Sequence, residues 1–220
     1  QVGNRPAGDR LIESAGWNGS RVAAALVLLS PFTPMLWMGE EYAEPAPFLY
    51  FVHHSDAKLI EAVRRGRAAE FAEFQLPGGV PDAQDPSTFL KSKLAWNLRE
   101  QGRHGAMLAY YAELIRLRRT LDIPGRAGTA DARTLGPVVV IHYHSDPNVL
   151  VIANTANAPT SVSSSALFSG PLREYDTLLD SLNPRWEGAA ASPAPRRRSD
   201  AVIDLQGRSA LVLQAVQEQA

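Results

Sequence analysis

Two adjacent carboxylates, Glu40 and Glu41, follow directly after the apolar run from Thr33 to Gly39. Paired carboxylates cleave glycosidic bonds, and retaining enzymes hold them about 5–5.5 Å apart across the bond. Successive residues that leave a strand point to opposite sides, so this pair is poorly arranged to bracket one bond. Three roles stay open for Glu40 and Glu41: an acid–base pair, a ligand contact or loop anchor, and ordinary ion pairing.

The opening segment QVGNRPAGDRL is the second group of chemically useful side chains. Gln1, Asn4 and Arg5 lie close together in it, and Asp9 and Arg10 follow. These groups donate and accept hydrogen bonds in several directions, as recognition of a hydroxyl-rich ligand requires. The segment therefore predicts ligand-contact residues.

Histidine and cysteine usage argues against a metal or cofactor. His53 and His54 are neighbours in the chain, and adjacent residues rarely share one metal. His142 and His144 fall on one face of a predicted strand and are interpreted as paired surface or core histidines. The sequence contains no cysteine, which excludes disulfides and thiolate ligands, and it contains no phosphate-binding, zinc-protease or serine-hydrolase motif. We expect no metal and no cofactor.

Composition indicates an ordinary globular protein. The chain has 220 residues, of which 45% are hydrophobic and 20% charged, with a net charge of −1. This balance encodes no broad attraction to nucleic acid or to an acidic membrane. The most apolar run, from Val22 to Leu29, is far shorter than the roughly 20 residues that cross a bilayer. We expect a cytoplasmic protein with no nucleic-acid or membrane partner, and the sequence leaves the oligomeric state open.

The first half of the chain has the pattern of alternating helices and strands. The predicted elements are a helix over Ser20–Ser30 capped by Asn18 or Ser20, a buried strand over Thr33–Gly39, a helix from Ser55 to about Phe74 with an apolar stripe, a short helix from Asp85–Pro86 and a helix over Arg103–Leu121. In β/α proteins the loops after the strands carry the chemistry. Both polar segments would lie in such loops.

After Gly136 the pattern changes to short β-rich runs separated by turn residues. The predicted strands cover Val138–Tyr143, Val149–Asn154, Ser161–Phe168, Ala201–Leu205 and Ala210–Ala215, with a hairpin over Asp204–Arg208 and a mobile surface loop over 188–198. We therefore predict two domains, an α/β part over residues 1–128 and a small all-β part over residues 129–220.

Several sequence strings resemble one known family. QVGNRPAGDRL resembles the segment that directly follows the NHD motif after the seventh barrel strand of the alpha-amylase family of glycoside hydrolases. The strings TPMLWMGEEYAEPAPFLYFVHHSD, AVRRGRAAEFAEF and VPDAQDPSTFLKSKLAW are similar to its malto-oligosyltrehalose trehalohydrolase branch. The resemblance is dense over residues 1 to 120 and looser in the tail. It implies the C-terminal portion of a (β/α)8 TIM barrel followed by a small antiparallel β-sandwich.

The same resemblance implies a reaction and a distribution of roles. Enzymes of this branch hydrolyse the α-1,4 linkage next to the trehalose end of malto-oligosyltrehalose, with retention and without a cofactor. The Asp nucleophile and Glu acid/base would lie on earlier strands, and the third family Asp would directly precede Gln1. We therefore expect a fragment truncated just after the NHD motif, with no catalytic residue and no activity of its own. The resemblance places Gln1, Asn4 and Arg5 in sugar subsites and Glu40 and Glu41 at the rim of the last strand.

Two alternatives stay open. One is a fragment of a glycogen-branching or other amylase-like enzyme, which the string EPAPFLYF disfavours. The other is a non-catalytic carbohydrate-binding or structural module built on the β domain.

Overall fold

The computed structural model describes residues 2, 5–72, 79–167, 174–187, 196–198 and 202–216. The helices are α1 (Leu11–Leu28), α2 (Ala57–Glu70), α3 (Pro86–Lys91), α4 (Gly102–Thr120) and α5 (Ser164–Leu167). The strands are β1 (Ala130–Leu135), β2 (Val138–Tyr143), β3 (Val149–Asn154), β4 (Thr160–Val162), β5 (Glu174–Asp180), β6 (Arg196–Arg198), β7 (Ile203–Leu205) and β8 (Ser209–Ala215). None of the helices described is both long and apolar enough to cross a bilayer.

The strands form two antiparallel sheets. The larger sheet has six strands in the order β1-β2-β3-β8-β5-β6, and the smaller sheet pairs β4 with β7. Strand β8 is central, since it pairs with β3 on one side and with β5 on the other.

Apolar side chains cover both faces of the large sheet. On one face, α1 and α4 pack against the sheet through residues such as Leu28, Leu114 and Val151. On the other face, the small sheet packs against it through Val162 and Ile203. The large sheet is thus the middle layer, with helices on one side and the small sheet on the other.

Polar side chains also connect the α1 segment to the large sheet and to the turn after β5. The buried Tyr143 hydroxyl, on β2, donates to the carbonyl of Leu29 at 2.7 Å. The guanidinium of Arg21, which is fully buried on α1, donates to the carbonyls of Ser181 and Trp186 after β5. Because buried polar groups need hydrogen-bond partners, these bonds fix the position of the helix relative to the sheet.

Several predicted elements are confirmed. Helix α4 begins within one residue of its predicted start and ends one residue early, and β2 and β3 have the predicted bounds. Helix α3 begins after Asp85, whose carboxylate accepts from the amide of Ser87 at 2.7 Å. Its proline occupies the first turn, where a missing amide proton costs nothing.

The start predicted for the first helix is wrong. Helix α1 begins at Leu11, so Asn18 and Ser20 are already helical and cap nothing. Gly16 interrupts the helix with a φ of 66°, a left-handed conformation that glycine adopts without strain. The sequence pattern registered only the part of the helix after this kink.

The predicted buried strand over Thr33–Gly39 is also wrong. Neither sheet includes this segment, and Met35 has 76% of its surface exposed. A strand needs a neighbour for its backbone hydrogen bonds. Among the residues described, no parallel strand lies beside this segment to provide one.

Helix α2 differs from its prediction at both ends. Asp56, rather than Ser55, caps it by accepting from the amides of Lys58 and Leu59, and the helix ends at Glu70. Of the expected apolar stripe, Phe71 directly after the helix is buried, whereas no residue within α2 is buried and Leu59 is 45% exposed. Phe74, the predicted end, lies outside the described residues.

The β-rich half contains strands that the sequence pattern did not indicate, namely β1, β5 and β6. The run predicted from Ser161 is split into β4 and the short α5. The predicted hairpin after Asp204 is wrong, because β7 belongs to the small sheet and β8 to the large one. Residues 188–195 of the predicted mobile loop lie outside the described residues, whereas Arg196–Arg198 form β6.

Candidate functional site

Arg10 joins the opening segment to the loop that follows the apolar run. It is 4% exposed, and its guanidinium donates to the carbonyls of Met38 at 2.7 Å and of Ala46 at 2.5 Å. The backbone reinforces this contact, because the amide of Phe48 donates to the carbonyl of Gly8 at 2.8 Å. The two segments singled out by their chemistry therefore pack against each other.

Glu44 is the polar centre of this contact. Its side chain is fully buried, and its carboxylate accepts three hydrogen bonds: from the Tyr42 hydroxyl at 2.9 Å, from the amide of Ala46 at 2.9 Å and from the amide of Ala95 at 2.7 Å. Burial, and then the Glu44 carboxylate, raise the pKa of Tyr42 and keep it a donor. A buried carboxylate with three donors is an anchor for the backbone around it.

Gly39 allows the loop to close around Glu44. It has a φ of 85°, and a Cβ placed on it would lie 2.7 Å from the Cβ of Glu44. The amide of Glu44 donates to the carbonyl of Gly39 at 2.9 Å. Only a residue without a side chain fits both the conformation and the space.

Glu40 is held by two donors. One carboxylate oxygen accepts from the Tyr111 hydroxyl on α4 at 3.0 Å, and the other accepts from the amide of Trp37 at 3.1 Å. Burial is the main cause that raises the pKa of Tyr111, and Glu40 adds to it. The geometry makes Glu40 a loop anchor that fixes the turn Glu40–Tyr42 to α4.

The two adjacent carboxylates face different cavities. Glu40 and Glu44 line a small cavity of about 30 Å³ next to Arg10. Glu41 instead lines an open apolar groove of about 360 Å³ between the segment Leu36–Met38 and α4. Ligand pockets for small molecules have volumes of about 300–1,000 Å³, so the groove has the room for a sugar and the small cavity does not.

The small cavity collects buried polar atoms. Arg10 Nη2, Ser20 Oγ and Trp37 Nε1 belong to residues that line it, and none of these atoms has a hydrogen-bond partner among the residues described. A space of this size holds one water molecule, which makes two to four hydrogen bonds. The cavity is therefore suited to a single oxygen atom between the opening segment and the Glu40–Glu44 loop.

The remaining predicted site residues lie in the opening segment. Arg5 is exposed and forms an ion pair with Asp9, whose pKa the hydrogen bond from Arg5 lowers. Gln1 and Asn4 lie outside the described residues. Of the five predicted ligand contacts, the structure therefore describes Arg5, Glu40 and Glu41, which face different surroundings.

Residue types alone did not identify Glu44 and Tyr111. Glu44 lies between Ala43 and Pro45 in an aromatic and proline-rich string, and an acid in such a string was the available signal. Tyr111 belongs to the apolar stripe of α4, and nothing in that stripe indicates that its hydroxyl reaches Glu40.

Comparison with known proteins yields a consistent set of relatives, although no protein-family model matches the chain. Over 133 residues it is 49% identical to the malto-oligosyltrehalose trehalohydrolase of Arthrobacter ramosus, and this alignment covers 60% of this chain and 23% of the relative. Over 171 residues it is 45% identical to the protein of the same name from Rhizobium sp. (strain M-11), and this alignment covers 74% of this chain and 28% of the relative. The chain is homologous to these trehalohydrolases. It spans about a quarter of the length of the curated relatives it matches.

The fold comparison points in the same direction. A crystal structure from Salmonella typhimurium described as an alpha amylase matches 98% of this chain and 34% of its own, with a TM-score of 0.75 and 31% sequence identity. The fold of this chain therefore matches a C-terminal part of alpha-amylase family structures.

Proposed function

We propose that this chain is the C-terminal portion of a retaining trehalohydrolase that cleaves the α-1,4 linkage next to the trehalose end of malto-oligosyltrehalose. The observation that carries the proposal is the 49% identity to a named trehalohydrolase. The relatives' names also favour this reaction over glycogen branching. The proposal includes a cytoplasmic location and a division into residues 1–128 and residues 129–220.

In this proposal the chain contributes the wall of the sugar site and not its catalytic groups. Glu40 and Glu44 already accept hydrogen bonds from protein donors, which supports an anchoring role for both. Glu41 borders a groove large enough for a sugar ring. We assign substrate contacts to Gln1, Asn4, Arg5 and Glu41, with Glu40 fixing the turn from which Glu41 projects.

The exposed apolar surface supports a larger assembly. Phe32 and Met35 are each 76% exposed and Met38 is 52% exposed, beside the groove that Glu41 lines. Exposed apolar side chains that cluster in this way mark a surface that another part of a protein covers. We infer that the remainder of the barrel covers Phe32 and Met35, which lie outside the residues that line the groove.

An exchange experiment tests the proposal. The part of the Arthrobacter ramosus protein that aligns with this chain is replaced by the corresponding residues of this chain, and trehalose release from malto-oligosyltrehalose is measured by chromatography. The exchanged enzyme is expected to release trehalose, whereas the 220-residue chain alone releases none. A folded exchange product that cuts internal α-1,4 bonds without releasing trehalose would overturn the proposed specificity, and trehalose release by the chain alone would overturn its inactivity.

Glu41 is tested in the same exchanged enzyme. Glu41→Gln removes the charge at the groove and is expected to raise KM several-fold with a smaller change in kcat, because an interaction that contributes equally to ground and transition states appears in KM. Glu61→Gln, on the exposed face of α2, is the matched control and leaves both constants unchanged. Equal constants for Glu41→Gln and the parent would remove Glu41 from the substrate contacts.

A further inference from the structure

Three potential metal ligands meet at one end of the β1–β2 hairpin. Asp131 on β1 lies directly opposite His142 on β2. His144 follows two residues later, and its ring centroid is 3.9 Å from that of His142. One ligand atom from each of the three side chains lies within 4.8 Å of the other two.

The three side chains differ in burial in a way that suits a bound cation. His142 is 5% exposed, and its Nε2 atom has no hydrogen-bond partner among the residues described. The side chains of Asp131 and His144 are each 45% exposed and already contact each other through His144 Nε2 and an Asp131 oxygen. A buried, unpartnered imidazole nitrogen beside two accessible ligands is an incompletely satisfied polar group that a cation would complete.

We propose that Asp131, His142 and His144 form a binding site for a divalent first-row transition metal, with zinc as the expected ion. Two imidazoles and one carboxylate are a common zinc donor set, with a water molecule as the fourth ligand. Bond lengths of about 2.0–2.2 Å place neighbouring ligand atoms of a tetrahedral site roughly 3.3 Å apart. The ligand atoms now lie within 4.8 Å of one another, and the partly exposed Asp131 and His144 side chains can move to reach the tetrahedral spacing.

Neighbouring charges set limits on the site. The Arg133 guanidinium lies 3.7 Å from Asp131 and also donates to the carbonyls of Ala166 and Leu167. It therefore remains near the cation and opposes it. Calcium prefers six to eight oxygen ligands, whereas this site offers one carboxylate and two imidazoles, so the donor set favours zinc. The bound ion would cross-link the edge strand β1 to β2 through ligands from both segments.

The expectation of no metal from the sequence rested on the histidine pairs and on the absence of cysteine. Asp131 lies in a strand that the sequence pattern did not indicate, and only the pairing of β1 with β2 brings it opposite His142. The site is therefore a product of strand register.

The test uses the full chain in chelator-treated buffer, with zinc alone as the probe. Competition with a chromophoric chelator is expected to show one saturable zinc site, which His144→Ala and Asp131→Asn each weaken at least tenfold. Zinc at about 100 times Kd is expected to raise Tm by roughly 5–10 °C in the parent and not in these variants. His53→Ala, which removes an exposed histidine elsewhere, is the matched control and retains the site.

Three results would overturn the proposal. They are the absence of saturable zinc binding by the folded chain, equal zinc affinity in the parent and both ligand variants, and loss of the site in His53→Ala alone. A second readout avoids dependence on folding of the variants: zinc added to the parent must shift the ring proton resonances of both His142 and His144 in nuclear magnetic resonance spectra.

Discussion

At the scale of single residues, the buried carboxylate of Glu44 organises the candidate site. It satisfies two backbone amides and one hydroxyl from three points of the chain, of which Ala95 is the most distant in sequence. The carboxylate thus holds the loop after the apolar run to the segment that leads into α4.

We predict that Glu44→Gln destabilises the fold by about 2–4 kcal/mol, because an amide turns one acceptor into a donor that faces buried donors. The free energy of unfolding is measured by urea titration. Glu41→Gln, a partly exposed carboxylate on the same turn, is the control and is expected to change stability by less than about 0.5 kcal/mol. Equal effects of the two changes would remove the anchoring role of Glu44.

His142 predicts a pH dependence of stability. Burial, with a further contribution from His144, lowers the pKa of His142 from its ordinary 6.5 to about 4. Below pH 6.5 the His142 side chain therefore binds a proton in the unfolded chain but not in the folded chain. The free energy of unfolding, which is highest above pH 6.5, falls as the pH decreases towards 4. Between pH 7 and pH 5 the loss is about 2 kcal/mol.

The measurement compares urea titrations at pH 7 and pH 5 in metal-free buffer. His142→Gln is expected to flatten the pH dependence, whatever its effect on stability at pH 7. His53→Gln, an exposed histidine, is the control and retains the slope of the parent. Asp131, whose pKa the hydrogen bond from His144 lowers, contributes below pH 3.8 and thus outside this window.

Residue types singled out two segments that pack against each other in the structure, but they did not indicate the side-chain partners within them. The position of Glu40 and Glu41 directly after an apolar run marks them as candidate site residues. The structure gives the two side chains different surroundings. The role of Glu40 depends on Tyr111, which is 71 residues away in sequence. Side-chain contacts over such separations follow from packing, which a single sequence does not encode in any local pattern.

At the scale of elements, the turn over Glu40–Tyr42 depends on the backbone conformation before it. We predict that Gly39→Ala destabilises the fold by about 1–3 kcal/mol, because alanine resists a positive φ and its Cβ would contact Glu44. Gly66→Ala is the matched control, since nothing lies within 4 Å of its Cβ position in α2, and it is expected to stabilise by roughly 0.5–1 kcal/mol. Opposite signs in urea titrations would support the assignment, whereas destabilisation by both would point to a general intolerance of added volume.

Local patterns predicted elements that carry their own start and stop signals. Helix α4 has a strong apolar rhythm, α3 has an Asp-Pro start, and β2 and β3 are rich in β-branched residues. Elements that depend on neighbours were missed or misassigned. The segment Thr33–Gly39 has strand-like composition but pairs with no strand in the described part of the chain. Strands β5 and β6 contain charged residues, and Arg196 on β6 forms ion pairs with Glu174 and Asp176 on β5.

At the scale of the whole molecule, Phe32 and Met35 are largely exposed apolar side chains close together in the sequence. We predict that Phe32→Ser combined with Met35→Gln reduces self-association of the isolated chain, because both side chains are largely exposed. Size-exclusion chromatography with light scattering measures the effect. Leu90→Gln, 60% exposed on α3, is the control for a single apolar side chain elsewhere, and an equal improvement from it would remove any special role for this surface.

The side chains of Tyr143 and Arg21 each donate a hydrogen bond from one layer of the molecule to a backbone carbonyl of another layer. Helices α1 and α4 and the large sheet also share one apolar core. Truncation of the chain near residue 129 would remove the helices that shield one face of the large sheet. Anyone who transplants the C-terminal strands onto another enzyme should therefore include α1 and α4, since these helices shield one face of the large sheet.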